Sequence, residues 1–345
     1  MATSELGRLL GLAGDVHIDF VDSPHLRDNA LGDPSVRPLA VYVPPGCDLQ
    51  GSRRYPVHYV LHGYSGDAAA LVSTRPWETN VVQCIDRLIT ARAMPPALLA
   101  IVDGNTRLGG SQYVDSLHNG AYATYVARDA VGHVDAHYPT VAREGGRAVL
   151  GKSSGGFGAL HLVMTFPGVF GAVASHSGDT NFRGVYVPEI PGIQRILERY
   201  DFDAAAFVAA FEGKPKRSAQ EMSAMMFLAQ GAAYSPRAAQ AFAFDVPFDV
   251  RTGELREDVF ARWLAYDPVE MCAHKRAELA RLRLRYLDCG RRDEYGLDLG
   301  ARMFARRVRD LGLDVRHEEF DDDHRNVGYR YAVSLPALTA VLETE

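Results

Sequence analysis

The sequence predicts an α/β fold, with a mostly parallel central sheet, helices on both faces and a helical lid inserted after the fourth core strand. Three observations carry this expectation. Short apolar runs of strand length recur at 57–61, 97–102, 147–150 and 171–175, with helical stretches between them; that alternation builds a parallel sheet buried on both faces. The rhythm stops between Asp179 and about residue 275, then resumes with another strand, helix and strand. At 345 residues and 47% hydrophobic, the chain can bury a large core, as one elaborated domain over 1–345.

The elements follow in order. Residues 16–22 and 38–43 alternate apolar and polar like antiparallel edge strands, and Pro44-Pro45-Gly46 ends the second. The strand at 57–61 runs into His62-Gly63-Tyr64-Ser65-Gly66. A helix over 78–92 leads to the strand at 97–102, closed by Asp103-Gly104-Asn105. A helix over 122–137 precedes the strand at 147–150, and a further helix continues to about Phe166, before Pro167. After the strand at 171–175 comes the insertion, 181–275, with helical stretches at 204–211, 219–230 and 256–264 and prolines at 188, 191, 215, 236, 247 and 268. Strand 282–287, helix 296–311 and strand 314–320 complete the sheet.

Composition narrows the function. Lys and Arg number 37 against 43 Asp and Glu, a formal charge of −6 without a basic block, which argues against nucleic acid as a partner. The arginine-rich stretches 276–285 and 301–309 read as solvated faces. No run approaches the ~20 apolar residues of a membrane span. The start, Met1 to Arg8, lacks the basic and apolar regions of a secretory signal. Cys47, Cys84, Cys272 and Cys289 are scattered without zinc or disulfide spacing, so reduced thiols and a cytoplasmic location are the expectation.

The chemistry centres on Gly151-Lys152-Ser153-Ser154-Gly155-Gly156, where a strand turns sharply into a helix. The spacing Gly-x-Ser-x-Gly is that of a nucleophile elbow: a serine in a strained backbone conformation, flanked by residues without side chains. A serine hydroxyl near neutral pH needs a base, and the base needs a carboxylate to orient it. In chain order those should follow as acid, then histidine. Asp293 lies in the loop after the strand at 282–287, at the end of Gly290-x-x-Asp293, and His324 lies in the loop after the last strand. Asp179, after the strand at 171–175, is the competing acid. His317 falls inside a strand; His133 and His137 share a helix face without zinc-site context. Asp321-Asp322-Asp323 reads as a solvated acidic loop, so neither metal nor cofactor is expected. A tetrahedral intermediate needs two N–H donors, each worth ~3 kcal/mol. The amides of Tyr64 and Ser154 are the candidates, with His62-Gly63 allowing the loop to turn. Over the site, Met222, Met225, Met226 and Phe227 offer an adaptable apolar wall for substrate, alongside His62 and Gly63.

These residues carry a resemblance. Leu61-His62-Gly63, Asp103-Gly104-Asn105, Ser111-x-Tyr113-Val114-Asp115-Ser116, the elbow with Gly158-Ala159-Leu160, Phe166-Pro167-x-x-Phe170-Gly171 and Ser177-Gly178 resemble the putative-esterase branch of the α/β-hydrolases. That branch contains esterase D (S-formylglutathione hydrolase), feruloyl esterases, enterochelin esterases and the antigen 85 mycolyltransferases. The resemblance covers roughly 37–180 and 280–335 and leaves out the insertion. It implies the α/β-hydrolase fold, with Ser153 as nucleophile, Asp293 as acid and His324 as base. Two positions depart from the family pattern: Ser154 stands where Met or another apolar residue is usual, and Asp323 stands where Gly-Gly-His is common. The implied activity is hydrolysis of carboxylic esters through an acyl-enzyme, on a small-molecule substrate. Acyl transfer of the antigen 85 type and thioester hydrolysis of the S-formylglutathione type are the alternatives within the family, and a binding protein on a degenerate scaffold is the alternative outside it.

Overall fold

The computed structural model describes residues 4–344; residues 1–3, within the stretch that lacks the features of a secretory signal, lie outside them. Eight strands form one sheet and two short ones a separate ribbon. In chain order they are β1 (Asp15–Asp22), β2 (Val36–Val43), β3 (Val57–Leu61), β4 (Leu98–Val102), the ribbon β5 (Asp115–Ser116) and β6 (Gly120–Ala121), then β7 (Arg147–Lys152), β8 (Ala172–His176), β9 (Leu284–Gly290) and β10 (Arg316–Phe320). The sheet order is β1-β2-β4-β3-β7-β8-β9-β10. β1 and β2 are antiparallel, as alternation suggests; every pair from β4 to β10 is parallel.

Burial explains the composition of the strands. Every residue of β3, β4 and β8 is buried, because helices cover the sheet on both sides and leave no polar face. One core packs the helices around Tyr122–Ala130 and 154–165 against one face, and a second packs the helix Val81–Thr90 and the C-terminal helix Tyr331–Thr339 against the other. The outer strand β10 is instead charged, with Arg302 pairing to Glu319 and Arg330 to Glu318, which blunts an exposed edge.

The expected elements are present with shifted ends. The helix over 78–92 is Val81–Thr90, starting where Asn80 and Gln83 form a capping box. The stretch 122–137 is an α-turn, a π-turn over Tyr125–Ala130 and an α-helix to His137. Several helices were not foreseen, among them Glu5–Leu10, capped by Ser4, Ala68–Val72, Ile190–Glu198 and Tyr331–Thr339, which contains Pro336.

Between β8 and β9 the chain is largely helical. Its helices, among them Ala204–Glu212, Ala219–Tyr234 and Glu257–Leu264, enclose an aromatic core of their own around Trp263, Phe227, Tyr186 and Tyr234. Trp263 donates Nε1–H to Ser235 Oγ at 2.8 Å, so its one polar atom is satisfied inside that core.

Candidate active site

Ser153 directly follows β7, with φ 57° and ψ −125°, a region that costs a non-glycine residue of order 1–3 kcal/mol. Packing imposes the turn. A Cβ on Gly155 would stand 2.1 Å from the Leu61 carbonyl oxygen, and one on Gly151 would stand 2.5 Å from the Gly155 backbone. The glycines therefore clear the neighbouring strand and each other, more than they clear the serine itself. The helix Ser154–Thr165 starts at once, leaving the hydroxyl free at its N-terminus.

The structure brings Ser153, His324 and Asp293 together. His324 Nε2 lies 3.1 Å from Ser153 Oγ, and His324 Nδ1 lies 2.8 Å from Asp293 Oδ2. All three follow the carboxyl ends of parallel strands, β7, β10 and β9. Asp293 Oδ2 also accepts the Cys289 thiol at 3.5 Å, and Oδ1 accepts the Tyr295 amide at 3.0 Å. Burial alone would raise this carboxyl; the bonds from His324, Tyr295 and Cys289 outweigh it and hold it below the usual carboxylate range. Gly290 lets the two loops meet, since a Cβ there would lie 2.3 Å from the Asp322 carbonyl oxygen.

Glu294 and Tyr295, absent from the sequence reading, complete the setting of the histidine. Glu294 Oε2 accepts the His324 amide at 3.0 Å and Oε1 takes Arg325 Nε at 3.1 Å. The Tyr295 ring meets the imidazole edge-on, with centroids 4.9 Å apart. A glutamate and a tyrosine after a strand carry no sequence signal that separates them from an ordinary solvated loop.

Asp179 stands apart from this relay. Its Oδ2 accepts the Tyr186 hydroxyl at 3.1 Å. Burial pushes its carboxyl up to about 6, against the opposing pull of His324 and that hydroxyl.

The turn after β3 is braced from behind. His62 Nε2 accepts the Gly104 amide at 2.8 Å, which leaves the proton on Nδ1 to donate to Gly63 O at 2.9 Å. The Tyr113 hydroxyl donates to His62 O at 2.9 Å, and the buried pair Arg37–Asp103 sits beside it. His62 is thus buried behind the wall, which corrects its expected contact with substrate. The Tyr64 hydroxyl donates to Leu108 O at 2.7 Å, the Ser65 amide to Gly109 O and the Gly66 amide to Gly63 O. The amides of Tyr64 and Ser154 appear in no such bond among the described residues. Ser154 Oγ is buried without a partner.

A cavity of about 360 Å³ opens above Ser153 and His324. Gly63, Tyr64, Lys152, Asp179, Tyr186 and Tyr295 line it below, and Ala219, Met222, Ser223 and Met226 line it from the insertion. Met225 and Phe227, expected in the same wall, turn away into the insertion's core, where Phe227 packs on Trp263 with ring centroids 4.9 Å apart. Elsewhere His133 pairs with Asp19 and stacks on His137. Among the described residues no group of three or more His, Cys, Asp or Glu is arranged to hold a metal ion, and no helix is long and apolar enough to cross a membrane.

A parallel sheet of this order, with an acid, a histidine and an elbow serine at its carboxyl edge, defines an α/β-hydrolase. The family described as Putative esterase matches residues 34–333, and the chain belongs to it. It is 30% identical over 132 residues to Esterase Rv1288 of Mycobacterium tuberculosis, a match covering 38% of this chain. The match takes in only 27% of that relative's length. Among solved structures, a ferulic acid esterase superposes with a TM-score of 0.60 at 19% identity, over 96% of this chain and 100% of its own. An S-formylglutathione hydrolase from Agrobacterium tumefaciens superposes with a TM-score of 0.59 at 15% identity, over 96% of this chain and 97% of its own.

Proposed function

We propose that the chain hydrolyses carboxylic esters through an acyl-enzyme formed on Ser153. The observation that carries this reading is the continuous relay Ser153–His324–Asp293, with contacts of 3.1 and 2.8 Å, at the floor of an open cavity. His324 Nε2 takes the Ser153 proton as Oγ attacks the ester carbonyl. The Tyr64 and Ser154 amides receive the developing oxyanion. His324 then returns the proton to the departing alcohol, and a water, activated by the same imidazole, frees the acid. Asp293, held ionised by its three donors, keeps the imidazole in the tautomer that presents Nε2 to the serine and stabilises the imidazolium. The insertion serves as a lid, with Met222 and Met226 against the acyl or alcohol chain.

The test uses p-nitrophenyl esters of increasing chain length, with and without acceptor alcohols. Ser153→Ala should lose activity by several orders of magnitude while keeping its melting temperature, and a fluorophosphonate should label Ser153 alone. Turnover of Ser153→Ala near the wild-type rate overturns the reading. Product partitioning toward an added alcohol at the expense of free acid would move the activity to acyl transfer on the same residues.

A further inference from the structure

Beneath the site lies a second Ser–His–Asp constellation. His176, at the end of β8, lies with Nδ1 2.7 Å from Asp288 Oδ1 and Nε2 2.9 Å from the Ser334 hydroxyl. All three side chains are buried, so no ester reaches them. Asp288 Oδ2 accepts Arg330 Nε at 2.8 Å and the Tyr286 hydroxyl at 2.9 Å. The same guanidinium donates to Glu318 Oε2 on β10 at 2.5 Å and lies over the Phe320 ring, 4.6 Å from its centroid.

His176, Asp288 and Arg330 each touch or belong to a segment that leads to one of the three reactive groups. The His176 carbonyl accepts the amide of Ser153 at 3.0 Å, and the Asp288 carbonyl accepts the amide of Ser177 at 2.8 Å. Asp288 belongs to β9, the strand whose end leads into Asp293. His324 sits in the loop between Phe320, the last residue of β10, and Arg330, the last of the turn Val327–Arg330. Arg330 therefore clasps both ends of the His324 loop and fastens them to β9.

We infer that Arg330 and Asp288 are positioning residues: their largely buried ion pair sets the His324 loop against the strand ends that carry Ser153 and Asp293. The inference rests on the reading of those three residues given above. Its physical ground is geometric. A guanidinium presents a planar fork that can serve Asp288 and Glu318 at once, whereas an ammonium is a point charge. An error of ~1 Å in placing a reacting group costs up to ~100-fold in rate.

The experiment compares wild type, Arg330→Lys, Arg330→Met, Asp288→Asn and the double variant Arg330→Met/Asp288→Asn. Hydrolysis of p-nitrophenyl butyrate is expressed per site titrated with a fluorophosphonate, and melting temperatures are recorded alongside. The expected result is a fall in kcat per titrated site of ~10-fold for Arg330→Lys and ~100-fold for Arg330→Met, with KM within about threefold. The double variant should be no worse than the poorer single one, because the two residues act through one contact. Should Arg330→Met not accumulate as folded protein, Arg330→Lys and Phe320→Leu carry the comparison, since neither strands a buried carboxylate. Variants that lose melting temperature or titratable sites, yet turn over at the wild-type rate per titrated site, would overturn the inference and leave the network as scaffolding. A wild-type protein that neither hydrolyses the ester nor takes the probe at Ser153 would instead remove the premise, and the inference with it.

Discussion

Replacing Asp179 with asparagine should stabilise the protein, and by an amount that grows with pH. Asp179 lines the cavity with 6% of its surface exposed, and burial raises its carboxyl from the ordinary 3.8 to about 6. A carboxyl whose folded pKa stands above its unfolded value loses stability as pH rises through that window, because the unfolded chain gives up the proton first. Below the window the acid is neutral in both states. Above it, the folded state carries the whole cost of the buried charge, about 3 kcal/mol at about 1.4 kcal/mol per pH unit. Asparagine has nearly the same shape, keeps an oxygen for the Tyr186 hydroxyl and never ionises. Urea denaturation should therefore show Asp179→Asn more stable by about 1 kcal/mol at pH 4.5 and by about 3 kcal/mol at pH 8. A difference that stays flat across this range, or a variant less stable than wild type at pH 8, would refute the account of Asp179 as a strained buried charge. A stability cost held at a cavity wall is the pattern expected of a residue kept for function.

Four further outcomes follow from the same geometry. Asp293→Asn should lower kcat by ~10⁴, as in the triad template, because the imidazole is left in the wrong tautomer; Asp179→Asn should cost far less, and the reverse ranking would exchange their roles. Hydrolysis should decline toward acid pH, because a general base must carry a free lone pair to take the Ser153 proton, so a pH-independent rate down to strongly acidic conditions would contradict the role of His324 as base. Met222→Ala and Met226→Ala should change chain-length preference, whereas Met225→Ala and Phe227→Ala should cost about 2–5 kcal/mol of stability, read by ester panel and urea melt. Gly155→Ala should fold poorly, losing about 3 kcal/mol or more, because its Cβ meets the Leu61 carbonyl rather than a movable side chain.

The candidate site was legible in the sequence wherever its signal is local. The elbow is a run of adjacent residues whose glycines mark a turn, and Gly290-x-x-Asp293 likewise compresses a close approach into four positions. His324 followed from chain order. What stayed hidden depends on contacts between distant segments. Nothing in the sequence separates Arg330, which clasps a loop from beneath the site, from Arg306, which is exposed on the helix Leu297–Asp310. Tyr331–Thr339 is apolar on all sides and carries a proline, so neither periodicity nor propensity announces it.

The insertion shows the same limit most clearly. Its helix Ala219–Tyr234 presents Ala219, Met222, Ser223 and Met226 to the cavity. Those positions follow the i, i+3, i+4, i+7 spacing of a single helical stripe. The stripe holds an alanine and a serine as well as two methionines, so apolar character does not distinguish it. Met225 and Phe227 fall to either side of it, and both are buried against the insertion's aromatic core. A helix buried on one side by its own subdomain and facing a cavity on the other loses the polar face from which orientation is read. Side-chain type therefore located the wall, and only packing could say which of its residues face the cavity. For that reason the paired substitutions at 222/226 and 225/227 are the sharpest test of the lid: if all four shift chain-length preference alike, the cavity does not end at the stripe.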